Sequence, residues 1–468
     1  MTNTTDFSFS SLPLRDDLRE GLVSLGFDKA TPVQMQSLPH SLTGRDIVAQ
    51  AQTGSGKTLA FALTLLNNLD SSLTKPSALV LCPTRELAEQ VAEQIRTVAK
   101  NIANTKVLLL CGGVPVPPQI SSLAHGANVI VGTPGRVVDH IMKGRLILSS
   151  VHHFVLDEAD RMLDMGFEDE LKVINRALPR AKQTLLFSAT FPPSVESIVA
   201  SVVTDAERIT VNKTESFSHI RQRVYRVDEA QRLPTLCAVL TDQQPSSAIV
   251  FCITKKETQQ VASELNAAGF SVVALHGDLE QRERTEMLAQ FTAGSALTLV
   301  ATDVAARGLD IEDVPLVINY RLSDDADTHI HRIGRTGRAG KKGMAISLMS
   351  DDEEIRAARI EEQLQIVLEK SGGQALRFHA NRIVQPDMAC ISVAGGKKDK
   401  LRPGDLLGAL TQDAKIPVED IGKIKITSTH SYLAIKARSV KRALGLFRDG
   451  KIKGKRFRAR KLNALQSY

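Results

Sequence analysis

The stretch 46-DIVAQAQTGSGKTLAFALTLLNNL-69 decides how this chain is read. The short run 46-DIVA-49 predicts a strand, and 59-LAFALTLLNNL-69 predicts a helix. Between them, 51-AQTGSGKT-58 has what a phosphate cradle needs. Gly54 and Gly56 leave backbone N–H groups bare beside an anion, and Lys57 brings a point charge to the outer phosphates. Thr58 offers a hydroxyl to Mg²⁺ and opens a helix whose N-terminal dipole favours negative charge. The generic pattern begins with Gly where this chain has Ala51.

Outward from that loop, short β-rich runs alternate with helix-period segments. Candidate strands follow at 77-SALVLC-82, 106-KVLLL-110, 128-NVIV-131, 152-HHFVL-156 and 184-TLLF-187, with helices such as 85-RELAEQVAEQIRTVAK-100 between them. This alternation predicts right-handed βαβ units and a parallel sheet covered on both faces. A second series begins near 221, with strands at 224-VYRV-227, 248-AIVFC-252, 272-VVALH-276, 297-LTLVA-301, 315-PLVIN-319 and 344-MAISL-348. The helical, charge-laced 351-DDEEIRAARIEEQLQIVLEK-370 closes it. The remainder reads β-α-β-β-α-β, a small α/β sandwich with antiparallel strands. The expected fold class is therefore α/β, with two tandem parallel-sheet domains and a small third one. Expected boundaries are 1–210, a linker at 211–220, 221–370 and 386–462.

Composition narrows the class of function. Of 468 residues, 43% are hydrophobic and 24% charged, which excludes wholesale disorder and fibrous folds. No apolar run approaches the ~20 residues of a membrane span, and the N-terminus shows no secretory pattern. Five cysteines, at 82, 111, 237, 252 and 390, lie far apart without metal-ligand spacing, so buried thiols in a reducing cytoplasm are expected. The net charge of +7 hides an asymmetry: residues 1–380 hold 39 Lys and Arg against 45 Asp and Glu, whereas 381–468 hold 20 against 7. Positive charge confined to one end predicts a module that meets a polyanion.

Nucleotide hydrolysis also needs an acidic partner for the metal. In 153-HFVLDEAD-160 an apolar strand runs into Asp157, placed for Mg²⁺, and Glu158, placed to orient or deprotonate the attacking water. Cations that stabilise the transition state are offered by 331-HRIGRTGRAGKKG-343, where Arg332, Arg335 and Arg338 recur every three residues among glycines.

Taken in order, 51-AQTGSGKT-58, 83-PTRELA-88, 133-TPGR-136, 157-DEAD-160, 188-SAT-190, 302-TDVAARGLD-310 and 331-HRIGRTGR-338 resemble a DEAD-box RNA helicase. The resemblance implies two RecA-like domains that close over ATP and RNA, and a phosphate loop that commonly begins with Ala. It places Thr53, Gly54, Ser55, Gly56, Lys57 and Thr58 on ATP, with Gln34 at the adenine edge and Phe9 or Phe27 stacking nearby. Thr58 and Asp157 would serve Mg²⁺; Gly308 and Asp310 would approach ribose and phosphates. Arg335 and Arg338 would be arginine fingers, while Ser188, Thr190 and His331 would couple hydrolysis to closure. RNA would be met by Arg85, Gly113, Thr133, Arg136, Thr302 and the segment 281-QRER-284.

The basic end resembles a narrower group. The segments 402-RPGDLLGAL-410, 420-DIGKIKI-426 and 449-DGKIKGKRFRARKL-462 are similar to the C-terminal domain of the DbpA family, which has an RNA-recognition-motif-like fold. That resemblance implies targeting to a hairpin of 23S ribosomal RNA during large-subunit assembly, with ribosome assembly intermediates as partners and a cytoplasmic monomer as the acting form. Lys451, Lys453, Lys455 and Arg456 are the foremost RNA candidates there. Only Tyr432, Phe447 and Phe457 are aromatic, so shape and backbone recognition is expected rather than a platform of stacked bases. The same motifs suit a second class of function, an ATP-gated RNA clamp with little unwinding.

Overall fold

The computed structural model describes residues 8–51, 54–211, 219–306, 311, 313–337 and 342–463. It divides into two compact units, the first built from residues 1–216 and the second holding nearly all that follows.

The first unit contains a seven-stranded parallel sheet: β1 (Ile47–Gln50), β2 (Ala78–Leu81), β3 (Val107–Leu110), β4 (Val129–Gly132), β5 (His153–Asp157), β6 (Gln183–Ser188) and β7 (Glu207–Thr210). Its spatial order is β3-β4-β2-β5-β6-β1-β7. Strands β2, β4 and β5 are buried throughout because helices cover both faces, which is why they read as continuous apolar runs. The order brings the ends of β1, β5 and β6 side by side, with Gln50 paired to Ser188 and Asp157 to Phe187. Chemistry gathers at that carboxyl edge.

The second unit repeats the plan with β8 (Ile220–Arg226), β9 (Ala248–Cys252), β10 (Val272–Leu275), β11 (Thr298–Thr302), β12 (Leu316–Asn319), β13 (Gly343–Met349) and β14 (Glu369–Gly372), ordered β10-β11-β9-β12-β13-β8-β14. Here the expected helix over 351–370 needs correction. The α-helix spans Glu354–Leu364 and stops where Gln365 turns left-handed, at φ 54°. Residues Glu369–Gly372 then add a seventh strand beside β8. Strands β7 and β14, absent from the sequence reading, are both short polar edge strands.

The same unit carries the small antiparallel sheet of β15 (Met388–Val393), β16 (Ile421–Ile426), β17 (Ser431–Lys436) and β18 (Ala459–Lys461), ordered β16-β17-β15-β18. Alternation sorts its side chains. Ala389, Ile391, Val393, Leu433 and Ile435 face its own core with Phe447 and Phe457. Cys390, Tyr432 and Leu462 instead pack with Ala289 and Ala293, on and just beyond the helix Gln281–Thr292. The sheet's outer face is thus a docking face. Glu286 of that helix, 6% exposed, accepts two hydrogen bonds from Arg460 Nη2, at 2.7 and 2.9 Å.

The five cysteines are buried and unpaired, and no helix among the described residues is long and apolar enough to cross a membrane.

Candidate functional site

The loop after β1 folds as its glycines allow. Gly54 and Gly56 take φ of 84° and 93°, a left-handed region open to glycine at little cost. At Gly56 a Cβ would lie 2.4 Å from Gln34 Nε2, so no side chain fits as the loop stands. Gln34 is buried there: its Nε2 donates to Gly56 O at 2.9 Å and its Oε1 accepts from Thr31 N at 2.9 Å. The glutamine expected at the adenine edge braces the phosphate loop in this structure. Phe9 is packed into the core of the first unit and Phe27 is partly exposed.

Lys57 opens the helix Lys57–Asn67 and is 5% exposed. Its Nζ lies 3.8 Å from Asp157 Oδ1 at the end of β5, and neither atom has a hydrogen-bond partner among the described residues. Such buried, orphaned charges are costly unless a counter-group completes them. They fit an anionic phosphate against Nζ and a divalent cation against the carboxylate, with the half-buried Thr58 hydroxyl next in sequence. Burial pushes the Asp157 carboxyl up to about 6, with Lys57 lowering it and Glu158 raising it.

Glu158 adopts a left-handed backbone, φ 55° and ψ 55°, as the residue before the helix Ala159–Asp164. That conformation costs a non-glycine residue on the order of 1–3 kcal/mol and is typical of functional positions. Asp160, to which sequence reasoning assigned no role, is the hub of the next contact. Its Oδ2 accepts from Thr190 N and Oγ1, both at 3.0 Å. Ser188 Oγ accepts from Asp160 N at 3.2 Å and donates to Thr190 O at 2.7 Å. Ser188 and Thr190 are therefore tied to the acidic run through its last carboxylate. An acidic residue in the first turn of a helix looks like a simple dipole match, which hid this role.

The RNA candidates of the first unit gather around the loop after β3. Arg85 Nη1 donates to Gly113 O and Arg136 Nη1 to Val114 O, each at 3.3 Å. Gly113 takes φ 71°, and Thr133 precedes the helix Pro134–Met142 that carries Arg136.

In the second unit, Thr302 ends β11 and its hydroxyl caps Ala305 N at 3.4 Å. It lines a cleft of about 250 Å³ with Asp303, Ser323, Asp325 and Arg332. Arg332 corrects the idea of three converging guanidinium groups. Only 2% exposed, it grips Asp303 through two bonds of 2.7 Å and donates to Asn319 Oδ1 and Arg321 O. The helix Ala326–Ile333 ends just after it, before the next arginine in the run. Arg335 is buried and its carbonyl accepts from Val314 N at 3.0 Å. His331 keeps a buried Nδ1 without a hydrogen-bond partner among the described residues. Thr53, Gly308, Asp310 and Arg338 lie outside the described residues.

In the small sheet domain, Ile452 and Lys455 bridge across a tight turn whose central residues, Lys453 and Gly454, have φ of 50° and 76°. Lys451, Lys453, Lys455 and Arg456 are exposed on and beside it. Lys453 Nζ reaches back to Lys400 O and Asp405 Oδ2, which joins the turn to the basic loop 397–402. Tyr432, Phe447 and Phe457 are all buried, at 4%, 5% and 7% exposure, so none can stack a base.

A parallel-sheet domain with this loop and acidic strand end, followed by a second such domain, is that of a DEAD-box helicase. The DEAD/DEAH box helicase family matches residues 31–198, the helicase conserved C-terminal domain 231–340, and the DbpA RNA binding domain 390–461. The ATP-dependent RNA helicase DbpA of Escherichia coli is 48% identical over 441 residues, covering 94% of this chain and 96% of that protein. DbpA of Bacillus subtilis is 36% identical, covering 97% and 99%. Among solved structures, S. cerevisiae Dbp5 bound to RNA and ADP BeF3 is similar, with a TM-score of 0.72 and 35% identity over 78% of this chain and 96% of that one. The chain belongs to the DbpA family of DEAD-box ATP-dependent RNA helicases. It is an ATP-using, RNA-binding enzyme of two RecA-like domains and a DbpA-type RNA-binding domain.

Proposed function

We propose that this helicase hydrolyses ATP on binding RNA, locally unwinds short duplexes, and is aimed by its C-terminal domain at a 23S ribosomal RNA hairpin during large-subunit assembly. The acting form is a cytoplasmic monomer with domains at 1–210, 221–370 and 386–462 and a linker at 211–220. Lys57 and the loop from Thr53 to Thr58 hold the phosphates, and Gln34 passes its amide from Gly56 O to the adenine edge. Thr58 and Asp157 hold Mg²⁺, which when bound neutralises phosphate charge. Glu158 orients the attacking water, and Arg335 and Arg338 stabilise charge on the transferring phosphoryl group. Gly308 and Asp310 face the nucleotide. Ser188, Thr190 and His331 relay its state to the RNA contacts Arg85, Gly113, Thr133, Arg136 and Thr302.

The observation that carries the targeting is the contrast within the small domain. Its aromatic side chains are buried while Lys451, Lys453, Lys455 and Arg456 are exposed around one turn. That surface suits a folded RNA's backbone and shape better than a run of unstacked bases. The test is ATPase stimulation by a panel of large-subunit ribosomal fragments, mRNA-like RNA and single-stranded DNA at one stated salt concentration. One ribosomal fragment should stimulate at the lowest concentration; equal stimulation by all RNAs would remove the targeting and leave a general RNA helicase.

A further inference from the structure

Arg136, at the start of the helix Pro134–Met142, is held in place by an amide and a carbonyl rather than by a carboxylate. Its Nη1 donates to Val114 O and to Gln119 Oε1, both at 3.3 Å. Those two bonds use both hydrogens of Nη1. Nε and Nη2 make no hydrogen bond among the described residues, and together they form the side-on fork that grips two oxygens of a phosphate.

Gln119 itself has no rotational choice. It is 6% exposed on the helix Val116–Ala124, and its Nε2 donates to Cys111 O at 3.0 Å. A carbonyl can only accept, so the amide oxygen must point the other way, toward Arg136. His140, fully buried one helical turn beyond Arg136, places its Nε2 2.9 Å from that same oxygen. The oxygen accepts only, which fixes the proton on Nε2. One amide thus ties Cys111 O, at the loop after β3, to two side chains spaced i and i+4 on a neighbouring helix.

We infer that Gln119, oriented by His140, is a positioning residue for RNA binding: it locks Nη1 of Arg136 so that the Nε/Nη2 edge is presented to an RNA phosphate. This rests on the reading of Arg136 as an RNA contact. Neither Gln119 nor His140 touches RNA or nucleotide in this assignment, so the effect belongs to RNA affinity and not to turnover.

ATPase rate at saturating ATP, titrated with one single-stranded RNA, separates the possibilities in four forms of the full chain: wild type, Gln119→Met, Arg136→Gln and the double variant. Gln119→Met should raise the RNA concentration at half-stimulation about fivefold, the size of losing one ordinary hydrogen bond, because Arg136 keeps its bond to Val114 O. Its maximal rate and KM for ATP should stay within about twofold of wild type. In the Arg136→Gln background it should add less than about twofold, because both changes remove the same interaction. If Arg136→Gln leaves half-stimulation unchanged, the RNA reading of Arg136 fails and takes this inference with it. If Arg136→Gln weakens binding while Gln119→Met does not, or if the two effects multiply, the positioning role alone is overturned. Should Gln119→Met not fold, His140→Leu removes the opposite donor to the same oxygen and should give about a twofold to threefold shift with the same lack of additivity; its absence would equally overturn the role.

Discussion

Glu286 and Arg460 are 174 residues apart, yet both carboxylate oxygens of the one accept from a single guanidinium nitrogen of the other. Arg282 Nε approaches the same carboxylate at 3.3 Å. The pair joins the small sheet domain to the second RecA-like domain. Glu286→Ala should loosen that seam by about 1–2 kcal/mol, below the roughly 3–5 kcal/mol of a fully buried pair because Arg460 remains half exposed and can reach water. Hydrogen exchange of β15 and β17 amides reports it; unchanged protection would mean that Tyr432 and Leu462 hold the seam alone.

Lys57→Ala should reduce ATP hydrolysis at least about a thousandfold, since no other cation is placed against Asp157 among the described residues. Glu158→Gln should keep ATP and RNA binding and yield a long-lived ternary complex. Radiolabelled phosphate release and a gel-shift lifetime measure the two, and wild-type turnover in either variant would refute the site.

Two arginines three residues apart should fail in different ways. Arg332→Ala empties a buried site and leaves Asp303, about one-fifth exposed, without its partner, and should cost about 3 kcal/mol, the low end for a buried pair, read as a lowered Tm. Arg335→Ala should abolish hydrolysis with far less effect on Tm. Equal Tm losses would indicate that Arg335 is structural too.

Asp420 sets an acid limit on the small domain. Hydrogen bonds from Arg438 and from Ser439 hold its carboxyl down to about 2, against an ordinary 3.8. A folded-state pKa lowered in this way gives stability that is complete above 3.8 and lost as pH falls toward 2. Asp420→Asn should therefore be less stable than wild type at pH 6, with the gap narrowing below about pH 4.5. Urea unfolding of both proteins across that range checks the sign; a constant gap would exclude the ion pair as its source.

Replacing Lys451, Lys455 and Arg456 with Gln should flatten the salt dependence of RNA binding by about one unit of log–log slope for each phosphate left without its cation. Preference among ribosomal fragments should fall with it. A lower affinity at every salt with an unchanged slope would show that these side chains do not neutralise phosphates.

Much of this architecture was legible because buried parallel strands announce themselves: 78-ALVL-81 and 129-VIVG-132 have no polar face. Edge strands do not. Glu207–Thr210 and Glu369–Gly372 bond to a single neighbour and expose polar side chains, so their sequences carry no strand periodicity. The charges before β14 misled for a related reason. Lys370 pairs with Glu354 and Glu361, 16 and 9 residues away, spacings no single helix would bring together, and does so from a strand across to the helix. Motif residues were readable by spacing; the partners that hold them, Asp160, Gln119 and Asp303, come from the fold. Nor can spacing tell whether an apolar residue serves its own core or a neighbouring domain, as Tyr432 does.

The contact between Gly56 and Gln34 reaches beyond this molecule. A methyl group at 56 would have to evict the glutamine amide, and a different residue at 34 would release the loop carbonyl it holds. Two positions 22 residues apart are therefore not free to drift separately. Replacing the glutamine would make room beside position 56 but would not relax its φ of 93°, so the glycine is held twice over and the glutamine once.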